Sequence, residues 1–140
     1  MSQENVNLIR DCIAAFNAGD VEQMLALSDP ELEWRPAFGG ATGGATAYHG
    51  FAGFREYWCG TQEIWDRFHF EPEQFMDDGN SVLVVGRGSG RAKGSGVDID
   101  QPFAMLFRVR SGKVLFGQTF VEPEQAHAAA NALKAVGLGE

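Results

Sequence analysis

The chain has 140 residues, with eleven Lys and Arg against 19 Asp and Glu and a formal charge of −8. That acidity excludes nucleic acid or an anionic membrane as the main partner, since both demand a basic surface. Two widely separated cysteines, Cys12 and Cys59, exclude a disulfide framework and a thiolate metal site.

At 44% hydrophobic and 21% charged, the chain reads as one soluble domain over 1–140. The first residues do not read as a signal peptide and no apolar run is long enough for a bilayer, so no leader and a cytoplasmic location are expected. Val6, Ile9, Ile13 and Phe16 recur at helical spacing, which predicts a first helix over 3–18 ending at Ala18-Gly19. Asp20 caps a second short helix carrying Val21, Met24, Leu25 and Leu27, and Ser28-Asp29-Pro30 closes it. Glu31 to Arg35 alternates as a short strand, and a Gly-, Ala- and Thr-rich loop follows from Phe38 to Ala47.

A third helix is expected from Gly50 to Arg67, with an aromatic face of Phe51, Phe54, Tyr57, Trp58 and Trp65. Strands then run from Phe68 through Met76, from Ser81 to Lys93, from Val97 to Arg110 and from Lys113 to Glu122. Their turns carry Asp78-Gly79, Gly94-Ser95-Gly96 and Ser111-Gly112. Pro123 opens a final helix that ends near Val136-Gly137. Helices segregated from a strand meander indicate an α+β fold, helices on one sheet face. The other face is expected to meet a partner subunit.

Centring the long hairpin on Ser95 places Arg87 opposite Phe103 and Val85 opposite Met105. Arg87 then sits on a bulky apolar face, while Gly86, Gly88 and Gly90 make the other face flat enough for a second sheet to approach. Gly86-Arg87-Gly88-Ser89-Gly90 opens no helix, so it is not a phosphate loop.

Five short words resemble SnoaL-like proteins of the nuclear transport factor 2-like superfamily. They are Ala15-Phe16-Asn17-Ala18-Gly19-Asp20, Tyr48-His49-Gly50, Gly94-Ser95-Gly96 before an acidic strand, Phe107 to Val114, and Phe120 to Ala126. The resemblance implies a cone: a curved antiparallel sheet wraps the helices around an internal pocket, and the outer face forms a homodimer. It does not name a reaction, because the superfamily holds isomerases, dehydratases, hydrolases, cyclases and non-catalytic members. The positions where a steroid isomerase of this fold carries its base, its Tyr and its protonated Asp look like Arg35, Cys12 and Met105 here. Isomerisation by that route is therefore not expected.

His49, at the entry to the third helix, is the expected proton-transfer group, and Arg35 the stabiliser of developing negative charge. Trp34, Tyr48, Tyr57, Trp58, Arg87, Phe103, Met105 and Thr119 are the expected ligand-binding residues. The bland alternatives are that His49 bonds a loop carbonyl, that the arginines pair with Glu31, Glu33 or Asp98, and that the aromatics are core. No His–Asp–Glu set has metal-ligand spacing, and no cofactor is expected. The resulting expectation is a pocket for a hydrophobic or acidic metabolite, with cofactor-independent acid–base chemistry. The alternative is a non-catalytic dimeric module. A functional pocket should reach roughly 300 Å³ with polar groups converging on it.

Overall fold

The computed structural model describes residues 2–37 and 47–135. In chain order the elements are α1 (Ser2–Ala18), α2 (Val21–Ala26), β1 (Ser28–Arg35), β2 (Tyr48–His49) and α3 (Gly50–Ile64). There follow β3 (Trp65–Asp77), β4 (Ser81–Ala92), β5 (Asp98–Arg110), β6 (Lys113–Phe120) and α4 (Pro123–Ala135). The expected Phe38–Ala47 loop falls outside the described residues except for Ala47, and so does the expected helix end at Val136-Gly137. One six-stranded curved sheet is ordered β2-β1-β6-β5-β4-β3, antiparallel except where β1 meets β6. The α+β cone expected from the sequence is the fold observed.

Local chemistry explains the helix ends. Gly19 takes φ 73°, a left-handed value natural to glycine, and stops α1. The Asp20 carboxylate accepts a hydrogen bond from the Gln23 backbone N–H at 3.1 Å and starts α2. α3 stops three residues earlier than its aromatic periodicity suggests. Trp65 is already extended, at φ −110° and ψ 131°, and pairs with Ala92 of β4. Strand pairing overrides the helical pattern because Trp65, Phe68 and Phe70 suit a strand as well as a helix.

The hairpin register also differs from expectation. The β4–β5 connection is a five-residue loop, Lys93 to Val97, in which Ala92 N–H donates to Val97 O at 2.9 Å. Arg87 therefore faces Pro102, Gly86 faces Phe103, and Val84 faces Met105. A one-residue slip exchanges the faces of a strand. Val82, Val84, Phe103, Met105, Phe107 and Val109 lie inside, against Ile9, Ile13, Leu25, Leu32 and Phe54. Gly86 and Gly88, cross-strand partners of Phe103 and Gln101, lie on the same concave side as this core. A Cβ on Gly88 would stand 3.1 Å from Phe68 and 3.2 Å from Phe103. Gly88 thus admits aromatic rings, and Gly86 the close backbone of β3, where an external sheet was expected.

The outer face is split. Leu83, Ala104, Leu106 and Phe120 pack against Ala126, with Ala130 alongside, so α4 covers the apolar half. The remaining half is a charged ladder, with Arg87 on Asp100 at 2.9 Å and Arg91 on Asp98 at 3.0 Å. Among the described residues no helix is long and apolar enough to cross a membrane.

Candidate functional site

Between the helices and the concave face lies a cavity of about 210 Å³. Phe16 from the end of α1, Tyr57 and Trp58 from α3, Trp65 and Phe68 from β3, and Phe103 from β5 wall it with rings. Phe68 meets Phe103 edge-on at 5.6 Å, and Phe16 meets Trp58 edge-on at 5.3 Å, the geometry aromatic quadrupoles prefer. Tyr48, Pro36 and Thr119 complete the lining. Thr119 and Tyr48 are 5% and 8% exposed and mark the deep end, whereas Gln62, Asp66 and Arg67 are exposed at the rim.

Five expected ligand residues meet here: Tyr48, Tyr57, Trp58, Phe103 and Thr119. Trp34 and Met105 are buried one layer behind, Trp34 packed on Phe54, Tyr57 and Phe107. Three further expected residues lie away from the cavity. Arg35 is exposed on β1 and bonds Glu33. His49 is exposed on the two-residue strand β2, as the cross-strand partner of Glu33. Arg87 lies on the outer face because of the register, with its guanidinium on the Asp100 carboxylate. His69 is likewise on the surface, 3.2 Å from Glu71, and His127 is exposed on α4. Among the described residues no cluster of His, Cys, Asp and Glu is arranged to hold a metal ion.

The electrostatics of the deep end come from hydroxyls. Thr119 sits on the inner face of β6 opposite Met105, and its Oγ1 accepts the Ala37 backbone N–H at 2.6 Å. Burial pushes the Tyr57 phenol up to about 12, so it stays protonated at neutral pH. Trp34 Nε1 faces the Tyr57 hydroxyl and slightly opposes that rise. Its geometry falls short of a hydrogen bond, which leaves Nε1 buried without one.

Residues 9–116 match the SnoaL-like domain. The chain belongs to the SnoaL-like domain family. No curated protein sequence matches it. Among solved structures it is similar to TerC co-crystallised with polyporic acid, at 23% identity and a TM-score of 0.77, covering 89% of this chain and 96% of TerC. It is also similar to a nuclear transport factor 2-like protein of Burkholderia xenovorans, at 27% identity and a TM-score of 0.72, covering 92% and 97%. A nuclear transport factor 2-like protein of unknown function from Burkholderia pseudomallei aligns at 19% identity and a TM-score of 0.78, covering 87% and 93%.

In this SnoaL-like domain the positions compared with a steroid isomerase carry no acid. Cys12 is buried in the core, its thiol pushed up to about 12 by burial and then by Asp11. Met105 is 1% exposed, and Arg35 points outward. Sequence reasoning missed Phe16, Asn17, Thr61, Gln62 and Phe68 as lining. The helical spacing of Phe16 reads as core, and the strand that holds Phe68 carries no signal for its face. Asn17 is the informative omission, since it closes a helix whose other inward positions are apolar. Its carboxamide donates to Phe70 O and accepts from Phe70 N–H, both at 2.9 Å. It thus stands in for a missing strand along edge strand β3 and holds the wall that carries Phe68.

Proposed function

We propose that this SnoaL-like domain binds a small apolar aromatic metabolite inside the cone. The observation that carries the reading is the ring-walled cavity with hydroxyls at its buried end. Its volume is smaller than expected and suits a one- or two-ring ligand. The likeness to TerC, solved with polyporic acid, supports an organic ligand in this fold.

The geometry favours binding over the acid–base chemistry expected of His49 and Arg35. Neither residue lines the cavity, and the one lining carboxylate among the described residues, Asp66, is exposed at the rim. Self-association belongs to this proposal in reduced form. A second copy would meet the charged half of the outer face that α4 leaves open. Light scattering at twice 15.2 kDa that falls to the single-chain mass in Arg87→Glu would support it. A single-chain mass in the wild type would reject it.

The binding test is a thermal-shift and tryptophan-fluorescence titration with benzene-, naphthalene- and anthracene-sized probes. A probe at ten times its Kd adds about 1.4 kcal/mol to the folded state. Stabilisation by the one- and two-ring probes, lost in Trp58→Ala, is the expected result. No shift with any probe, on a protein that melts cooperatively, overturns the proposal.

A further inference from the structure

We infer that the convex sheet face carries a second site, for a small carboxylate anion, built from the Arg108 guanidinium and the Ser81 hydroxyl. It lies across the sheet from the cavity and does not rest on the binding reading above. Register brings the two side chains together, since Ser81 of β4 is the cross-strand partner of Arg108 of β5. In the adjoining pair the Val109 N–H donates to Asn80 O at 2.8 Å. Ser81 and Arg108 are therefore a non-hydrogen-bonded pair, in which facing side chains stand closest, with Cα atoms about 4.5 Å apart. Phe107 and Val109 belong to the inner core, so Arg108 between them points outward. Leu83 and Leu106, the next pair on that face, pack under α4.

Both groups have a proton to give. Ser81 is 5% exposed, and neither its Oγ nor the buried Arg108 Nε has a hydrogen-bond partner among the described residues. The other arginines differ. Arg35, Arg55, Arg87, Arg91 and Arg110 each meet a carboxylate, and Arg10 lies over the Phe75 ring at 4.3 Å. Arg67 is exposed to water. Arg108 is half-buried and pairs with no carboxylate among the described residues. A part-buried cation beside a buried hydroxyl favours an anion that accepts from both. The planar guanidinium matches the two oxygens of a carboxylate. One cation and one neutral hydroxyl balance a single negative charge, and the chain's formal charge of −8 opposes a doubly charged phosphate. On the other side of Arg108 its β6 partner, Phe116, is half-buried and offers an apolar surface to the group that carries the carboxylate.

The test is nitrogen–proton NMR of the labelled full chain, following backbone amides and arginine Nε–H groups at fixed ionic strength. The probes are benzoate, its neutral counterpart benzamide, and inorganic phosphate. The expected result is saturating benzoate shifts at the Arg108 Nε–H, Ser81 and Phe116, with benzamide binding there about tenfold more weakly or worse. Arg108→Gln should abolish the response at Ser81 and Phe116, Ser81→Ala should weaken it about threefold, and Arg87→Gln should leave it unchanged. The wild-type shifts decide the question should Arg108→Gln fail to fold. Small linear shifts spread over all the arginines overturn the inference, since they report ionic screening alone. Benzoate shifts confined to Phe103 and Thr119 also overturn it, and they leave the cavity reading standing. Tighter binding of phosphate than of benzoate overturns it in favour of a phosphate site. Twice the single-chain mass in the wild type, falling to the single-chain mass in Arg108→Gln with no benzoate shift at Arg108, overturns it in favour of a carboxylate on a second copy.

Discussion

The two faces of the β4–β5 hairpin are built from alternate residues of the same strands, yet they have opposite chemistry. The concave face sets Gly86 and Gly88 against Phe103 and Gln101; the backbone of β3 closes on Gly86, and the rings of Phe68 and Phe103 fill the space beside Gly88. The convex face sets Arg87 and Arg91 against Pro102 and Asp98, with α4 over the apolar remainder. The comparison separates two kinds of polar residue. Arg87 and Arg91 on the convex face are solvated ion pairs of small energetic weight. The Thr119 hydroxyl on the concave face is buried and belongs to the cavity lining.

The largest effect should come from filling the concave face. A Cβ on Gly86 would stand 2.0 Å from the Glu71 carbonyl oxygen, which is backbone and cannot swing away. Gly86→Ala should cost about 3 kcal/mol in urea denaturation, whereas Arg87→Ala next to it should cost about 0.5 kcal/mol or less. Similar costs at both positions would refute the assignment of faces.

Next in size is a pH effect. The Tyr57 phenol is raised from 10.0 to about 12 in the folded chain. A raised folded value means the contribution is fully present below pH 10 and is lost between pH 10 and 12. The loss reaches up to about 2.7 kcal/mol. Tyr57→Phe should flatten that part of the pH–stability curve, and an unchanged slope would place the phenol in solvent. Gly88→Ala is subtler, because the rings it would push against, Phe68 and Phe103, are side chains that can move into the cavity. It should cost about 1 kcal/mol and weaken the naphthalene-sized probe measurably in the tryptophan-fluorescence titration. Unchanged affinity would detach the glycine floor from the site.

Much of the fold was legible in the sequence. Helix stops at glycine, caps and strand alternation are local signals, and they placed α1, α2 and the four long strands to within a few residues. The end of α3 was not legible, because Trp65 fits both an aromatic helix stripe and a strand, and pairing with Ala92 decides. Of the cavity lining, the rings and Thr119 were legible, since aromatics on α3 and alternate residues of β5 and β6 converge in a cone. The arginines misled for one reason: a hairpin centred half a residue away turns Arg87 from the core to solvent. No local signal distinguishes the five-residue loop from the three-residue turn. Arg35 and His49 misled because neighbours along a strand or at a helix entry need not share a face.

The smallest predicted effects follow from that correction. Arg35→Ala, His49→Ala and Arg87→Ala should each leave the affinity for the naphthalene-sized probe within about threefold of wild type and stability within about 0.5 kcal/mol. A loss beyond that in any one would return its side chain to the site.

The central claim, that ligand is taken up between the concave face and the helices, is tested most directly by nitrogen–proton NMR of the labelled chain titrated with the naphthalene-sized probe. Saturating shifts at Phe16, Phe68, Phe103, Thr119 and the indole N–H groups of Trp58 and Trp65 are predicted. Shifts gathered instead at Arg35, His49 and Arg87, with the cavity residues unmoved, would contradict it.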